Sequence, residues 1–171
     1  LSSRLKGDGA TPRRYRGVPV PLWFNEENSE RLSAMELRPH DVILASYPRS
    51  GTHWVYQAIR LLLARGESGD EDDGAMLLAE SNVRTIDGLM DDLVAQGEDD
   101  SRLIVTHAPS AWLPALANTG KLVYVCRDPR DTLVSNYHFE SVASADGWGS
   151  CVERFLAPCD EAPDDGGSWF G

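Results

Sequence analysis

The sequence predicts an α/β protein built on a parallel sheet flanked by helices. Three short apolar runs, Val42 to Ala45, Arg102 to Thr106 and Lys121 to Cys126, read as strands, with helical stretches between and after them. Strands that alternate with helices need crossover connections, which place helices on the faces of a parallel sheet. Each run also ends in residues suited to chemistry: Arg49 to Thr52 after the first, His107 after the second and Arg127 after the third. Open α/β sheets bind ligands beyond the carboxyl ends of their strands, so the three strand ends together mark a candidate site.

The elements follow in chain order. Residues 1–40 read as an extended, Pro-containing lead-in, from which Trp23 and Phe24 pack onto the body. The strand at Val42 leads into Tyr47-Pro48-Arg49-Ser50-Gly51, and a helix is expected from Thr52 to Ala64. Its apolar face would be Trp54, Val55, Ala58, Ile59, Leu62 and Leu63, at three- and four-residue spacing. Gly66 to Gly74 reads as a loop, and Ile86 to Gln96 as a helix with Leu89, Met90, Leu93 and Val94 on one face. A short helix is expected around Ala111 to Ala117. After the third strand, Pro129 is placed to open a helix through Tyr137, because its fixed φ and missing N–H suit a first helical position.

Composition bounds what such a fold can do. The 171 residues are 42% hydrophobic and 25% charged, enough for one globular domain and well outside the disordered range. No apolar run approaches a bilayer span, and Leu1-Ser2-Ser3-Arg4 does not read as a secretory signal, so the expectation is a cytoplasmic protein without a membrane partner. The formal charge of −11 opposes non-specific nucleic-acid binding, which needs a basic surface. An anionic ligand would need a local basic pocket inside that field. The acidic runs at Asp70 to Asp73, Glu98 to Asp100 and Asp164-Asp165 read as solvated loops, not a metal site. Cys126, Cys151 and Cys159 form no CxxC pair and read as structural thiols in a reducing compartment.

Tyr47 to Trp54 is the most informative segment. A chain that leaves a buried strand and starts a helix at once points N–H groups and the positive helix end at an anion. Arg49 adds donors matched to phosphate or sulfate oxygens. A Walker A loop is excluded, since position 46 is Ser and no Lys follows Gly51. Each residue also has a structural explanation taken alone. The loop could be a strand-to-helix turn capped by Ser50 or Thr52. His107 could be a satisfied structural imidazole, although an ordinary pKa near 6.5 suits proton transfer. Arg127 could pair with Asp131, leaving Ser135 a helix-surface hydroxyl. His53 and His138 carry no argued chemistry of their own.

Together the segments resemble a known family. Tyr47-Pro48-Arg49-Ser50-Gly51-Thr52-His53-Trp54 is similar to the 5′-phosphosulfate loop of cytosolic sulfotransferases, usually Y-P-K-S-G-T-T-W. Val123 to Asp131 with Val134-Ser135-Asn136-Tyr137-His138-Phe139 resembles their 3′-phosphate segment. Thr106-His107-Ala108-Pro109 looks like the K-T-H-L-P stretch that carries the catalytic His. Gly17-Val18-Pro19, Leu37 to Asp41, Asp146-Gly147-Trp148 and Gly167 to Phe170 are weaker matches in the right order. The resemblance implies a P-loop-nucleotide-kinase-like, three-layer fold and 3′-phosphoadenosine 5′-phosphosulfate (PAPS) as co-substrate, with no metal. It implies sulfuryl transfer to a small-molecule hydroxyl or amine. By the matching positions His107 is the general base and Arg49 the cation on the leaving phosphate. Arg49, Ser50, Gly51, Thr52, His53 and Trp54 form the 5′ side, Trp54 near the adenine, and Arg127 and Ser135 hold the 3′-phosphate.

The sequence departs from the family pattern at three positions: Arg49 for Lys, Val105 for the Lys before Thr-His, and His53 for the second loop Thr. Slower turnover than the family norm is the expectation. Nothing matches the R-K-G-x-x-G-D-W segment that closes over the cofactor, nor the region carrying the family's homodimer contact. The expectation is therefore the N-terminal portion of a sulfotransferase domain, with a catalytically inactive nucleotide-binding relative as the alternative and a P-loop NTPase a distant third.

Overall fold

The computed structural model describes residues 13–21, 23–63, 76, 78–80, 101–115, 120–140 and 147–157. These fall into two compact units, one within Leu1–Leu22 and Gly147–Gly171, the other within Trp23–Asp146. In the smaller unit, β1 (Arg14–Tyr15) pairs antiparallel with β2 (Val18–Pro19). The turn between them uses φ +50 at Arg16 and +84 at Gly17, the left-handed pair that a two-residue hairpin turn requires. Helix α4 (Trp148–Leu156) belongs to the same unit and buries Cys151 and Phe155; the labels used here number the described helices in chain order.

The larger unit carries the sheet. Strands β3 (Val42–Ser46), β4 (Leu103–Thr106) and β5 (Lys121–Val125) are all parallel, in the order β4-β3-β5. Ala45 lies opposite Thr106 on one side, and Ser46 opposite Val125 on the other, so all three strands end level. Because β3 is flanked on opposite sides by its two successors, its carboxyl end is a topological switch point, where the connections diverge and leave a crevice. Every residue of β3 is buried. Ile43 and Ala45 join Leu32, Leu37, Ala79 and Ile104 in one apolar cluster, while Leu44, by strand alternation, faces the other way. Each such buried aliphatic side chain contributes about 1.5–3 kcal/mol, which makes β3 the rigid base from which the next loop is presented.

The amino end of the sheet is closed by ionic and backbone bonds. Asp41, fully buried, accepts from Arg102 Nε at 2.9 Å, from Arg102 Nη2 and from the Arg38 N–H at 2.7 Å. Arg102 Nη2 also reaches the Glu36 carbonyl at 2.9 Å. Burial alone pushes the Asp41 carboxyl up, but the bonds and charge of Arg102 with the Arg38 N–H outweigh it and hold the group below its ordinary value.

Several elements differ from the sequence expectation. The lead-in is not wholly extended: α1 spans Glu26–Ser33, capped by Asn25, whose side chain accepts from the Asn28 N–H at 2.9 Å. Phe24 packs as expected, 5.8 Å from the Trp112 ring, whereas Trp23 stays exposed. In place of a helix at 111–117, a 3-10 turn covers Ser110–Trp112, and Leu113 is already extended before Pro114, which restricts it against the helical region. Helix α2 runs Thr52–Leu63, but Trp54, Leu61, Leu62 and Leu63 are exposed. Val55 and Ile59 are half-buried as expected, and Tyr56 and Arg60 join them where Trp54 and Leu62 do not, so one edge of the packing face is moved around the helix. Strand β5 is mostly exposed, with Leu122 and Tyr124 open to solvent. Helix α3 begins at Pro129 as expected and continues to Glu140. The helix expected at 86–96 and the loop at 66–74 lie outside the described residues.

Candidate functional site

The chain leaves β3 through Tyr47-Pro48-Arg49-Ser50-Gly51 in a tight turn, the Ser50 N–H donating to the Tyr47 carbonyl at 3.2 Å. Arg49 has φ +67 and Gly51 has φ +106. Gly51 meets the second requirement without strain, and a Cβ there would meet no atom within 4 Å, so its backbone conformation and not crowding calls for glycine. Arg49 has no such freedom; a left-handed L-residue costs about 1–2 kcal/mol. Strain of this kind is retained where the surrounding structure over-determines it, most often at ligand sites. Ser50 is buried, and its hydroxyl has no hydrogen-bond partner among the described residues. An orphan hydroxyl costs about 1–3 kcal/mol unless a ligand or water satisfies it. An anion held by the first turn of α2 would accept from it directly.

Thr52 opens α2, is buried and shares a short hydrogen bond with Ser46 Oγ at the end of β3. His107 lies just past β4 and faces the same point. Its Nδ1 is 2.7 Å from the Ser46 carbonyl and 3.3 Å from Ser46 Oγ. A carbonyl only accepts, so Nδ1 carries the hydrogen of the neutral ring and Nε2 keeps a free lone pair. Burial lowers the His107 pKa, and the Ser46 carbonyl restores part of the loss. The ring is thus neutral and basic at Nε2 at physiological pH.

Arg49 meets the third strand's motif. Its Nε donates to Ser135 Oγ at 3.3 Å, and its guanidinium lies 4.5 Å from the centre of the Phe139 ring. Arg127 Nη1 donates to the Arg49 carbonyl at 3.3 Å. Arg127 also approaches Asp131 at 4.0 Å, the helix-surface pair expected as its structural explanation, but both partners are exposed and the contact is long. Asp128, just before α3, accepts from the Arg130 side chain and N–H, and those bonds hold its carboxyl down at about 2.

The structure therefore brings Arg49, Arg127 and Ser135 together on one side of the loop, and Thr52 and His107 on the other. His53 and Trp54 do not join either group: both are exposed on the first turn of α2, Trp54 at 84%, and His53 faces the Tyr56 ring at 6.4 Å. Two residues of the site make contacts that the sequence did not announce. Ser46 counted only as the position that breaks a Walker pattern, yet it touches both Thr52 and His107. Glu80, buried at 2% exposure, accepts from Thr106 Oγ1 and from the His107 N–H, each at 2.7 Å; no local pattern announces it.

Known proteins resemble this chain in sequence and fold. The family model described as "Sulfotransferase domain" matches residues 39–170. Dog sulfotransferase 1B1 is 32% identical over 153 residues, covering 84% of this chain and 51% of that protein. Rabbit amine sulfotransferase is 30% identical, covering 82% of this chain and 46% of that protein. The crystal structure of mouse sulfotransferase SULT7A1 complexed with PAP aligns with a TM-score of 0.67 and 27% identity, covering 94% of this chain and 55% of that one. The chain thus spans about half the length of the curated relatives it matches. Among the described residues, no helix is long and apolar enough to cross a membrane. With a domain match over most of its length, the chain belongs to the sulfotransferase family.

Proposed function

We propose that the protein transfers a sulfuryl group from PAPS to a hydroxyl or amine of a small-molecule acceptor, with residues 1–171 forming the N-terminal portion of one sulfotransferase domain. The observation that carries this reading is the tether from His107 Nδ1 to the Ser46 carbonyl, which leaves Nε2 as a neutral base beside an anion-suited loop. The orphan Ser50 hydroxyl and the open space at Gly51 fit the phosphate of such a co-substrate. The mouse relative complexed with PAP, the desulfated product, supports the same ligand class.

PAPS, when bound, supplies the sulfuryl group and a phosphate leaving group. His107 Nε2 takes the acceptor's proton as the acceptor oxygen or nitrogen forms its bond to sulfur. Arg49 neutralises the charge that collects on the 5′-phosphate oxygen as the S–O bond breaks. Ser50, Gly51 and Thr52 contribute loop donors on that side, and Arg127 with Ser135 holds the 3′-phosphate. Sulfuryl transfer, like phosphoryl transfer, depends mainly on positioning and charge stabilisation, and a placed base adds about 10²–10⁴-fold. A small acceptor and a cytoplasmic setting complete the reading.

One observation favours a second reading, a nucleotide-binding protein that does not transfer. Val105, where the family has a second cation, is a buried apolar residue on β4 and contributes no charge. Calorimetric titration with PAP, together with transfer of radiolabelled sulfuryl from PAPS to a panel of phenols, alcohols and amines, separates the two. Binding with transfer supports the enzyme, binding without transfer the second reading, and failure to bind sinks both.

A further inference from the structure

Glu80 is a strongly buried carboxylate that the proposed chemistry does not use and that, unlike Asp41, has no guanidinium beside it among the described residues. Among the described residues no Lys or Arg pairs with it, and its carboxylate is compensated there only by neutral donors. The donors are distributed with some precision. Thr106 Oγ1 accepts from the Ala108 N–H at 2.9 Å, so its own hydrogen goes to Glu80 Oε2, 2.7 Å away. The His107 N–H goes to the other oxygen, Oε1, also at 2.7 Å. Only an ionised carboxylate offers an acceptor oxygen to each of two donors with no hydrogen of its own to accommodate. Gln has the same shape but would turn its NH₂ toward one of them.

The backbone of Glu80 is fixed independently of its side chain. Leu78 bridges to Val105 alongside β4, the Ala79 N–H donates to the Val105 carbonyl at 2.9 Å, and the Glu80 carbonyl accepts from the Asn25 N–H at 2.8 Å. Its carboxylate is therefore an anchored post around which the end of β4 turns. His107 is held at two points: its backbone by Glu80 and its ring by the Ser46 carbonyl. Loss of the backbone anchor would free the turn Thr106-His107-Ala108 and let the ring leave Ser46.

We infer that Glu80 is the positioning residue for His107, its buried carboxylate gripping the Thr106 hydroxyl and the His107 amide on separate oxygens so that the imidazole keeps one tautomer and one orientation. The functional half of this inference rests on the proposed sulfuryl transfer; the structural half does not. Burial outweighs the two bonds and holds the Glu80 carboxyl above its ordinary 4.5, while the bonds pull it back toward the ionised form.

Glu80→Gln in the full chain tests it through two readouts. Long-range ¹H–¹⁵N spectra of His107 show a single Nδ1–H tautomer in the parent protein and a mixture of tautomers in the variant. Transfer falls about 10–10²-fold, the range expected when a reacting group is misplaced by an ångström, while the KM for PAPS and the affinity for PAP stay unchanged. Retention of the single tautomer with an undiminished rate overturns the inference, as does a loss confined to PAP affinity. Should the variant not fold, the parent protein decides: a His107 amide that is far downfield and protected from exchange supports the bond to the carboxylate, and one that exchanges freely overturns it. If PAP does not bind, the transfer reading fails, and the tautomer and amide readouts still decide the role of Glu80.

Discussion

The two ends of the same three strands are built on opposite terms. At the amino end, Asp41 and Arg102 are both buried, but each is matched: the carboxylate takes three donors and the guanidinium two acceptors. At the carboxyl end, among the described residues, the buried Ser50 hydroxyl has no partner, Arg49 sits at φ +67, His107 is half-buried and neutral, and Glu80 is a carboxylate without a cation. Polar groups are saturated where the sheet needs only stability. They are left strained or under-satisfied where a ligand can complete them, the pattern expected when local rules are broken for function.

The largest effect that sharpens this contrast is His107→Asn. Sulfuryl transfer should drop about 10²–10⁴-fold as the base is lost, with PAP affinity and the unfolding midpoint unchanged. A variant that keeps its rate would return His107 to a structural role. Asp41→Ala should act in the reverse sense. It leaves the buried Arg102 without its carboxylate partner, which costs about 3–5 kcal/mol, read as a lower urea midpoint, while transfer per folded molecule persists. An equal loss of rate in the folded fraction would mean the two ends are not separable.

Arg127→Ala should weaken PAP by about 10–10²-fold, the worth of about 1.5–3 kcal/mol in charge-assisted bonds, with little change in the rate at saturating PAPS. If affinity holds, the exposed pair with Asp131 is the residue's whole role. Acidification probes both ends at once. The lowered His107 pKa means the unfolded chain binds that proton more readily, so stability falls as pH drops from the ordinary value of 6.5 toward the folded-state value, and transfer falls as pH passes through that lower folded value. Asp41, held below its ordinary 3.8, keeps its contribution until pH falls through that lower folded value. Glu80, pushed above its ordinary 4.5, has the opposite sign: its contribution is complete below 4.5 and is lost as pH rises through the folded value. Stability and rate profiles with no acid limb below 6.5 would contradict a neutral, half-buried His107.

What the sequence made legible was local. Val42 to Ala45 is a continuous apolar run with no competing interpretation, so the central strand could be read, and the loop after it carries its own signature, which marked it as a candidate anion site. Helix α1 was hidden because it is polar throughout, with only Ser29 and Leu32 buried; its readable signal was Asn25 ahead of Glu26 and Glu27, an N-cap before an acidic first turn. The face of α2 was misjudged because Trp54 and Leu62 fit helical spacing as well as Tyr56 and Arg60 do, and only the contact with β3 chooses between them. Glu80 and the Asp41–Arg102 pair depend on partners brought together by strand pairing, 61 positions apart for Asp41 and Arg102, and no window of residues contains that information.

The smallest effect concerns the residue where the two sides of the site meet. Arg49 reaches Ser135 through Nε and lies over Phe139, so its planar fork is engaged with α3. An exposed cation–π contact contributes about 0.5–1 kcal/mol, and that contact must be given up or reshaped before the cation can serve the leaving phosphate. Lys would carry the same charge on a flexible stem as a compact ammonium able to follow the bridging oxygen. Arg49→Lys should therefore raise the transfer rate a few-fold, the change that about 0.5–1 kcal/mol corresponds to, without tightening PAP. A rate that stays level or falls would mean that the fork is matched to this site and that the stack on Phe139 holds Arg49 ready for the phosphate instead of away from it.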